Sequence, residues 1–514
     1  MPGNSLSEIA QNATRRLRSI VIAGGGTPGW MAAAALSRVI ADGSCAITLV
    51  ESNAAHAVGV EGGSLPSLRA FHGLLGIEER DFVSAARATI KLGVRFRDWR
   101  TIGDTFLHPF GSYGVDINHD LIQAYWLKCR QEGRGSPLEE WSVTGLAASL
   151  GRFGVPPPKD SSALRHLSYA YHLDATLYSR FLRAYAEQRG VRRIEGDVAG
   201  ATIDTRGRIE SLRLADGRAI GGDFFVDCSG DDALIIAGAL QSGYEDWSQW
   251  LPCDRAVTAP CAGAGHVAPV TLVTACEAGW QWRIPLQHGA GNGYAYSSAH
   301  LSDGEAAARL LERLEGAPLA ELRLLRFRAG RRTQAWVGNC LALGSAAGFL
   351  GLLESTGMHL VQTGLGRLFG LFPDRDFDPA VSAEYNRLTA LEYQRARDFL
   401  ILHYAGSERD EAPFWRQCRG MELPETLAYK RDLFTRTGRI AALEEETFPP
   451  GSWLAIYAGL RLWPQRHEPV VDIFTPGAAA ARFEAMRQKI RAAVETLPVV
   501  ASGDWERYHS SSRE

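Results

Sequence analysis

Residues 19–30 read SIVIAGGGTPGW, and this stretch decides the fold class. Ile20 to Ala23 form a short apolar strand that runs straight into glycines, and the alanine-rich run from Trp30 to Ile40 reads as a helix ending at Asp42-Gly43. Gly24, Gly26 and Gly29 keep the G-x-G-x-x-G spacing. In such a motif the first glycine permits the tight turn, the second lets backbone approach a pyrophosphate, and the third lets helix pack on strand. The helix start offers N–H groups and a positive dipole end to phosphates. A second strand over 46–50 ends on Glu51, about 20 positions beyond the last glycine, where a ribose-binding acid stands. The expectation is a dinucleotide on an α/β sheet.

Length and composition bound the rest. A chain of 514 residues exceeds one core of ordinary size, so two or more subdomains are expected. With 46% hydrophobic and 22% charged residues it matches globular averages, and a net charge of −3 argues against nucleic acid as a partner. No apolar run approaches the roughly 18 residues of a membrane span. Arg15-Arg16 leads into the fingerprint strand rather than a signal core, so no membrane partner and a cytoplasmic location are expected. The eight cysteines are scattered without C-x-x-C pairs, which suits a reducing compartment and implies neither a metal site nor disulfides.

Only one fingerprint is present: the glycines at 263 and 265, and at 289, 291 and 293, do not follow a strand and open a helix. Residues 193–196 and Val198 lead into a β-rich stretch with turns at Asp204-Thr-Arg-Gly and Ala215-Asp-Gly, closed by FFVDCSG at 224–230. A later strand, 340–343, opens onto Gly344. From about 376 the pattern changes to amphipathic helices, as over 380–400 and 482–497. This divides the chain into a nucleotide-binding unit, 19–375, and a helical C-terminal module, 376–514, that caps the substrate site.

Four further stretches carry chemistry. Lys91 stands in ATIKLGVRFRDW (88–99), where Ile90, Leu92 and Gly93 give it apolar surroundings. Glu354 stands in LESTG (353–357). Trp280 and Trp282 lie in GWQWRIP (279–285), a spacing whose plain alternative is a strand burying both indoles as core. His108 and Phe110, in HPFG, put two flat rings at i and i+2, and a buried structural histidine is the plain alternative.

GGGTPGW, GWQWRIP and LESTG together resemble the flavin-dependent tryptophan halogenase family, over about 19–470. Trp280, Trp282, Ile284 and Pro285 fit the family's W-x-W-x-I-P in full. The resemblance implies an FAD-binding Rossmann-like domain of the glutathione-reductase or p-hydroxybenzoate-hydroxylase kind, with mixed sheets and a helical C-terminal module. It implies FAD held through Gly24, Gly26, Thr27, Gly29, Glu51, Val198, Ser229, Gly344, Phe349 and Leu350. It also implies a separate NAD(P)H-dependent flavin reductase, chloride or bromide as co-substrate at Thr356 and Gly357, and a possible homodimer. Hypohalous acid made with reduced FAD and O2 would pass to Lys91, either hydrogen-bonded to its ammonium or bound as a haloamine after the pKa falls. Glu354 would stabilise the cationic arene and take its proton, while the tryptophan motif keeps substrate off the flavin. His108, Phe110 and Trp453 would wall the arene. The chain departs from the family at 58–68, VGVEGGSLPSL, at Gly351-Leu352, which replaces a Glu-Pro, and at Ser345. IAALEEET (440–447) has acids but no tyrosine pair, so no pocket for an amino-acid zwitterion is evident. An indole, or another electron-rich arene, lacking that group is the expected substrate class. The alternatives are a free-tryptophan halogenase acting on the benzo ring and an FAD aromatic monooxygenase.

Overall fold

The computed structural model describes residues 15–52, 62–157, 160–263 and 268–500. Its first sheet has six strands in the order Trp336–Val337, Cys340–Ala342, Phe224–Asp227, Ser19–Ala23, Ala46–Glu51 and Arg192–Glu195. All neighbours are parallel except the Trp336–Val337 edge. Layers on both faces explain why these strands are almost continuously apolar, with Ile20, Ile22, Leu49 and Phe225 all fully buried.

The fingerprint helix runs Thr27–Val39, starting earlier than the apolar run predicts. Pro28 in the first turn has no N–H to leave unpaired, and its fixed φ suits a helix start. Two glycines here have a steric reason. Gly24 has φ +112, and a Cβ on it would lie 2.1 Å from the Cys228 carbonyl oxygen; a Cβ on Gly29 would lie 1.9 Å from that of Gly24. Turn, neighbouring strand and helix are thus in backbone contact, and the buried run Met31–Leu36 fills the remaining gap with small side chains.

The expected β-rich insertion is an antiparallel meander, Val198–Ile203, Ile209–Leu214 and Ala219–Gly221. A second large sheet runs Arg323–Arg326, Arg255–Cys261, Gly289–Tyr296, Gly279–Leu286, Thr271–Cys276, Gly93–Arg97 and Thr105–Pro109. The glycines at 289, 291 and 293 lie within one of its strands, and a Cβ on Gly293 would sit 2.1 Å from the Trp282 ring. They make room for an indole. A small sheet joins Gly62–Gly63, Ala170–Leu173 and Thr89–Lys91.

Beyond 376 the described chain forms the α-helices Pro379–Ala405, Pro413–Gly420, Glu425–Thr437, Pro450–Gly459 and Pro476–Glu495. The long Pro379–Ala405 helix buries every residue from Arg395 to Tyr404, so it threads through the core and delivers side chains to the large sheet. Among the described residues no helix is long and apolar enough to cross a membrane.

Candidate active site

The parallel strands end together, and the loops leaving them carry the residues expected at the nucleotide. Gly344 has φ +64, and a Cβ there would lie 2.7 Å from Pro28, which seats the loop after Cys340–Ala342 against the fingerprint. Ser229 Oγ donates to Asp227 Oδ1 at 2.5 Å, and Thr27 Oγ1 lies 2.9 Å from Ser179 Oγ. Val198 opens the meander, Phe349 pairs edge-on with Phe327, and Leu350 is buried. Glu51 is buried at the end of its strand, where Arg193 and the Trp30 Nε1–H, at 3.2 Å, hold its carboxylate. The helix start has no side-chain cap, and a Cβ on Gly26 would meet nothing nearer than Pro28 Cδ at 3.7 Å. That open, donor-lined turn fits the pyrophosphate of FAD. Gly59 and Val60 of the altered 58–68 loop lie outside the described residues.

Lys91 ends the Thr89–Lys91 strand and is fully buried. Its Nζ donates to Ser355 Oγ at 3.0 Å and to the Ser64 carbonyl at 3.3 Å, and stands 5.3 Å over the Phe110 ring. Burial lowers its pKa to about 8, against the opposing pull of Glu354. Gly63 is what admits this contact, since a Cβ there would press on Ser355 Oγ at 2.7 Å and Lys91 Nζ at 2.9 Å.

Glu354 and Ser355 both adopt left-handed backbone, at φ 62 and φ 60. For residues with a Cβ that costs on the order of 1–3 kcal/mol each, a strain found mostly at functional sites. The reversal sends Ser355 to Lys91 and the Glu354 carboxylate to two histidines. Oε1 lies 2.9 Å from His108 Nδ1 and 3.1 Å from His403 Nε2. His403 Nδ1 faces the Phe399 carbonyl at 2.8 Å and must donate to it. The Nε2 contact therefore bonds only with a further proton held between imidazole and carboxyl. Burial pushes the Glu354 carboxyl up, but the two imidazoles outweigh it and hold it well below the carboxylate range. Among the described residues, buried Oε2 has no hydrogen-bond partner. Thr356 then starts the Thr356–Gly370 helix without a side-chain cap, and a Cβ on Gly357 would meet nothing, a geometry open to an anion.

A cavity of about 270 Å³ lies beside this cluster, lined by His108, Phe110, Ser67, His359, Thr447 and Phe448 among others. His108 lies in the Thr105–Pro109 strand and Phe110 just beyond its end, so two of the three expected walls meet there. Trp453 is not among the lining residues: it meets Phe399 edge-on at 5.2 Å, and Phe399 stacks on Phe448 at 3.9 Å. Trp280 and Trp282 are buried 5.6 Å apart, also away from the cavity. Trp280 Nε1 donates to Tyr404 Oη at 2.8 Å, and the Pro285 carbonyl accepts from Thr89 Oγ1 at 2.7 Å. The motif thus braces the strand of Lys91 and the helix of His403. His403, His359 and Phe399 escape sequence reasoning, whereas Ser355 lies inside LESTG and Ser67 inside the altered 58–68 stretch, with no role read for either.

A family model for tryptophan halogenase matches residues 19–476. The chain is 32% identical to tryptophan 6-halogenase SttH of Streptomyces toxytricini over 521 residues, covering 94% of this chain and 97% of that protein. It is 32% identical to tryptophan 7-halogenase RebH of Lentzea aerocolonigenes over 518 residues, with the same shares of both chains. It also resembles the solved structure of BrvH, a flavin-dependent halogenase from Brevundimonas sp. BAL3, at 45% identity and a TM-score of 0.90, over 96% of this chain and 99% of that one. Because these matches span the nucleotide cleft, the Lys91–Glu354 cluster and most of the helices beyond 376, the chain belongs to the tryptophan halogenase family and is a flavin-dependent halogenase.

Proposed function

We propose that the enzyme chlorinates or brominates an indole that lacks the amino-acid backbone, with Lys91 holding the electrophilic halogen and Glu354 serving the arene. The chemistry supplied with reduced FAD and O2 is oxidation of halide to hypohalous acid. Lys91 Nζ already gives two hydrogens to Ser64 and Ser355, and as an ammonium it keeps a third for the hypohalous oxygen. The orphan Oε2 of Glu354 is suited to stabilise the ring cation and take the displaced proton. Thr356 and Gly357 are the proposed halide site. With a single fingerprint in the chain, reduced FAD comes from a separate NAD(P)H-dependent reductase.

The observation that carries the substrate class is the charge balance of 444–446. Glu444 pairs with Arg387 at 3.2 Å, Glu445 with Arg367 at 2.6 Å, and Glu446 with buried Lys430. None of these acids lines the cavity, and no other Asp, Glu, Lys or Arg does among the described residues; Lys91 and Glu354 stand directly behind Phe110 and His108 of its wall, where the halogenation step uses them. A zwitterion there would leave its ammonium and carboxylate desolvated and unpaired. Without such an anchor, indole reacts at its most nucleophilic carbon, C3.

The test is mass spectrometry of turnovers of indole and of L-tryptophan, each with NADH, an added flavin reductase and chloride or bromide. The expected result is 3-haloindole, with tryptophan no better a substrate, and no flavin reduction by NADH when the reductase is omitted. Clean benzo-ring halogenation of tryptophan with indole inert overturns the substrate class, and a hydroxylated arene as sole product overturns the roles of Lys91 and Glu354.

A further inference from the structure

The cavity has one polar wall that the halogen-handling groups leave unused. Ser67 opens the Ser67–Leu75 helix, His359 lies on the first turn of Thr356–Gly370, and both line the cavity. Ser67 Oγ and His359 Nδ1 are 2.9 Å apart. On the other side of the ring, His359 Nε2 faces Glu392 Oε1 at 3.5 Å. Glu392 Oε2 accepts from Arg367 Nη1 at 2.8 Å and from Thr363 Oγ1 at 2.9 Å. Burial pushes this carboxyl up, but His359 and Arg367 outweigh it and hold it below its ordinary range.

An ionised carboxylate only accepts, so His359 in its neutral form turns a hydrogen-bearing Nε2 to Glu392 and presents a lone pair at Nδ1. That lone pair takes the Ser67 hydroxyl hydrogen. Ser67 Oγ then has only lone pairs to offer the cavity. We propose that Ser67 is the hydrogen-bond acceptor for a ring N–H of the arene substrate, held in that state by His359 and Glu392. The wall selects N–H heteroarenes over oxygen or sulfur heteroarenes of the same shape, which have no hydrogen to give. The inference rests on the reading of this cavity as the arene site.

Calorimetric titration of the FAD-loaded enzyme with indole and with 1-benzothiophene tests it, because binding is read apart from turnover. In Ser67→Ala, indole is expected to bind about 3- to 10-fold more weakly, the weight of one neutral hydrogen bond, with benzothiophene unchanged. His359→Leu, which frees the hydroxyl to turn, is expected to give the same selective loss of indole binding. Equal weakening of both ligands, or unchanged indole affinity in Ser67→Ala, overturns the acceptor role and leaves the arene site standing. Failure of the wild-type enzyme to bind either ligand overturns the arene-site reading and this inference with it.

Discussion

Glu354 and the three acids at 444–446 lie close in the fold, but the chain treats their charges in opposite ways. Each acid of 444–446 has its own cation, supplied by a different helix: Arg387 from Pro379–Ala405, Arg367 from Thr356–Gly370 and Lys430 from Glu425–Thr437. Glu354 has two imidazoles on one oxygen, none on the other, and a left-handed backbone beneath it. Its nearest lysine, Lys91, is held by Ser64 and Ser355 rather than by an acid. Matched charges lock a segment in place. Mismatched charges kept buried at a cost are what a reaction can use.

The sharpest way to break the comparison is Lys91→Met. Arene halogenation should fall to the detection limit, while FAD binding persists and hypohalous acid still forms and leaks to an added trap. Halogenated arene at near wild-type yield with free hypohalite scavenged would remove Lys91 from the chemistry. The same variant should be more stable. Folded Lys91 has a pKa of about 8 against 10.5 for the free side chain. Over that interval the unfolded chain binds more protons, so this group penalises folding fully below pH 8 and ceases to do so above about 10.5. Removing it should stabilise the fold by roughly 1–3 kcal/mol at pH 7, and the gain in melting temperature should shrink as pH rises from 8 to 10.5. A lower melting temperature for Lys91→Met at pH 7 would mean that its hydrogen bonds outweigh its burial.

Glu354→Gln comes next. The amide keeps the shape but neither balances the ring cation nor takes its proton, so arene halogenation should drop by about 10² to 10⁴. Hypohalite formation should change far less. Equal losses in both steps would make the LESTG turn a structural element linking the sites.

A pH profile separates the two ways Lys91 can hold halogen. If the ammonium donates to hypohalous acid, the halogenation rate falls as pH passes about 8, approaching tenfold per unit at most. A rate that rises through that value assigns the neutral amine and a haloamine instead. The measurement is product formation with reduced FAD supplied in excess, so that the reductase's own pH dependence drops out.

How much of this was legible beforehand differs by layer. The fingerprint strand, its helix and the Ala46–Glu51 strand follow from local spacing, because a strand–turn–helix unit depends on neighbours in sequence. The helix start was misjudged by three residues, since Pro28 and Gly26 outrank the apolar run. The meander over 198–221 was legible from its Asp-Gly turns. Lys91 and Glu354 were legible only through motif resemblance, as nothing local says that residues 264 positions apart, Lys91 and Ser355, will touch. His403 and His359 were not legible at all. Each is one histidine on a helix whose partner is fixed by packing, and a lone histidine on a helix is more often structural. Trp453 shows the converse, because an aromatic side chain near the site can stand behind the wall rather than form it.

The smallest expected effect comes from the matched side of the comparison. Glu444 and Arg387 are both about half exposed, whereas Arg367 is largely buried and ties Glu445 to Glu392. An exposed pair is worth little, so Glu444→Gln should leave the melting temperature where it is. Glu445→Gln should lower it slightly, since Arg367 keeps Glu392 as a partner. Neither change should alter the preference for indole, with KM staying within about twofold, because both acids point their charge at the protein's own cations. A substrate ammonium held by either acid would give a different result: the Gln variant would lose activity on tryptophan selectively and leave indole turnover intact. Running the two variants against both substrates therefore decides whether 444–446 is a clamp or a recognition site.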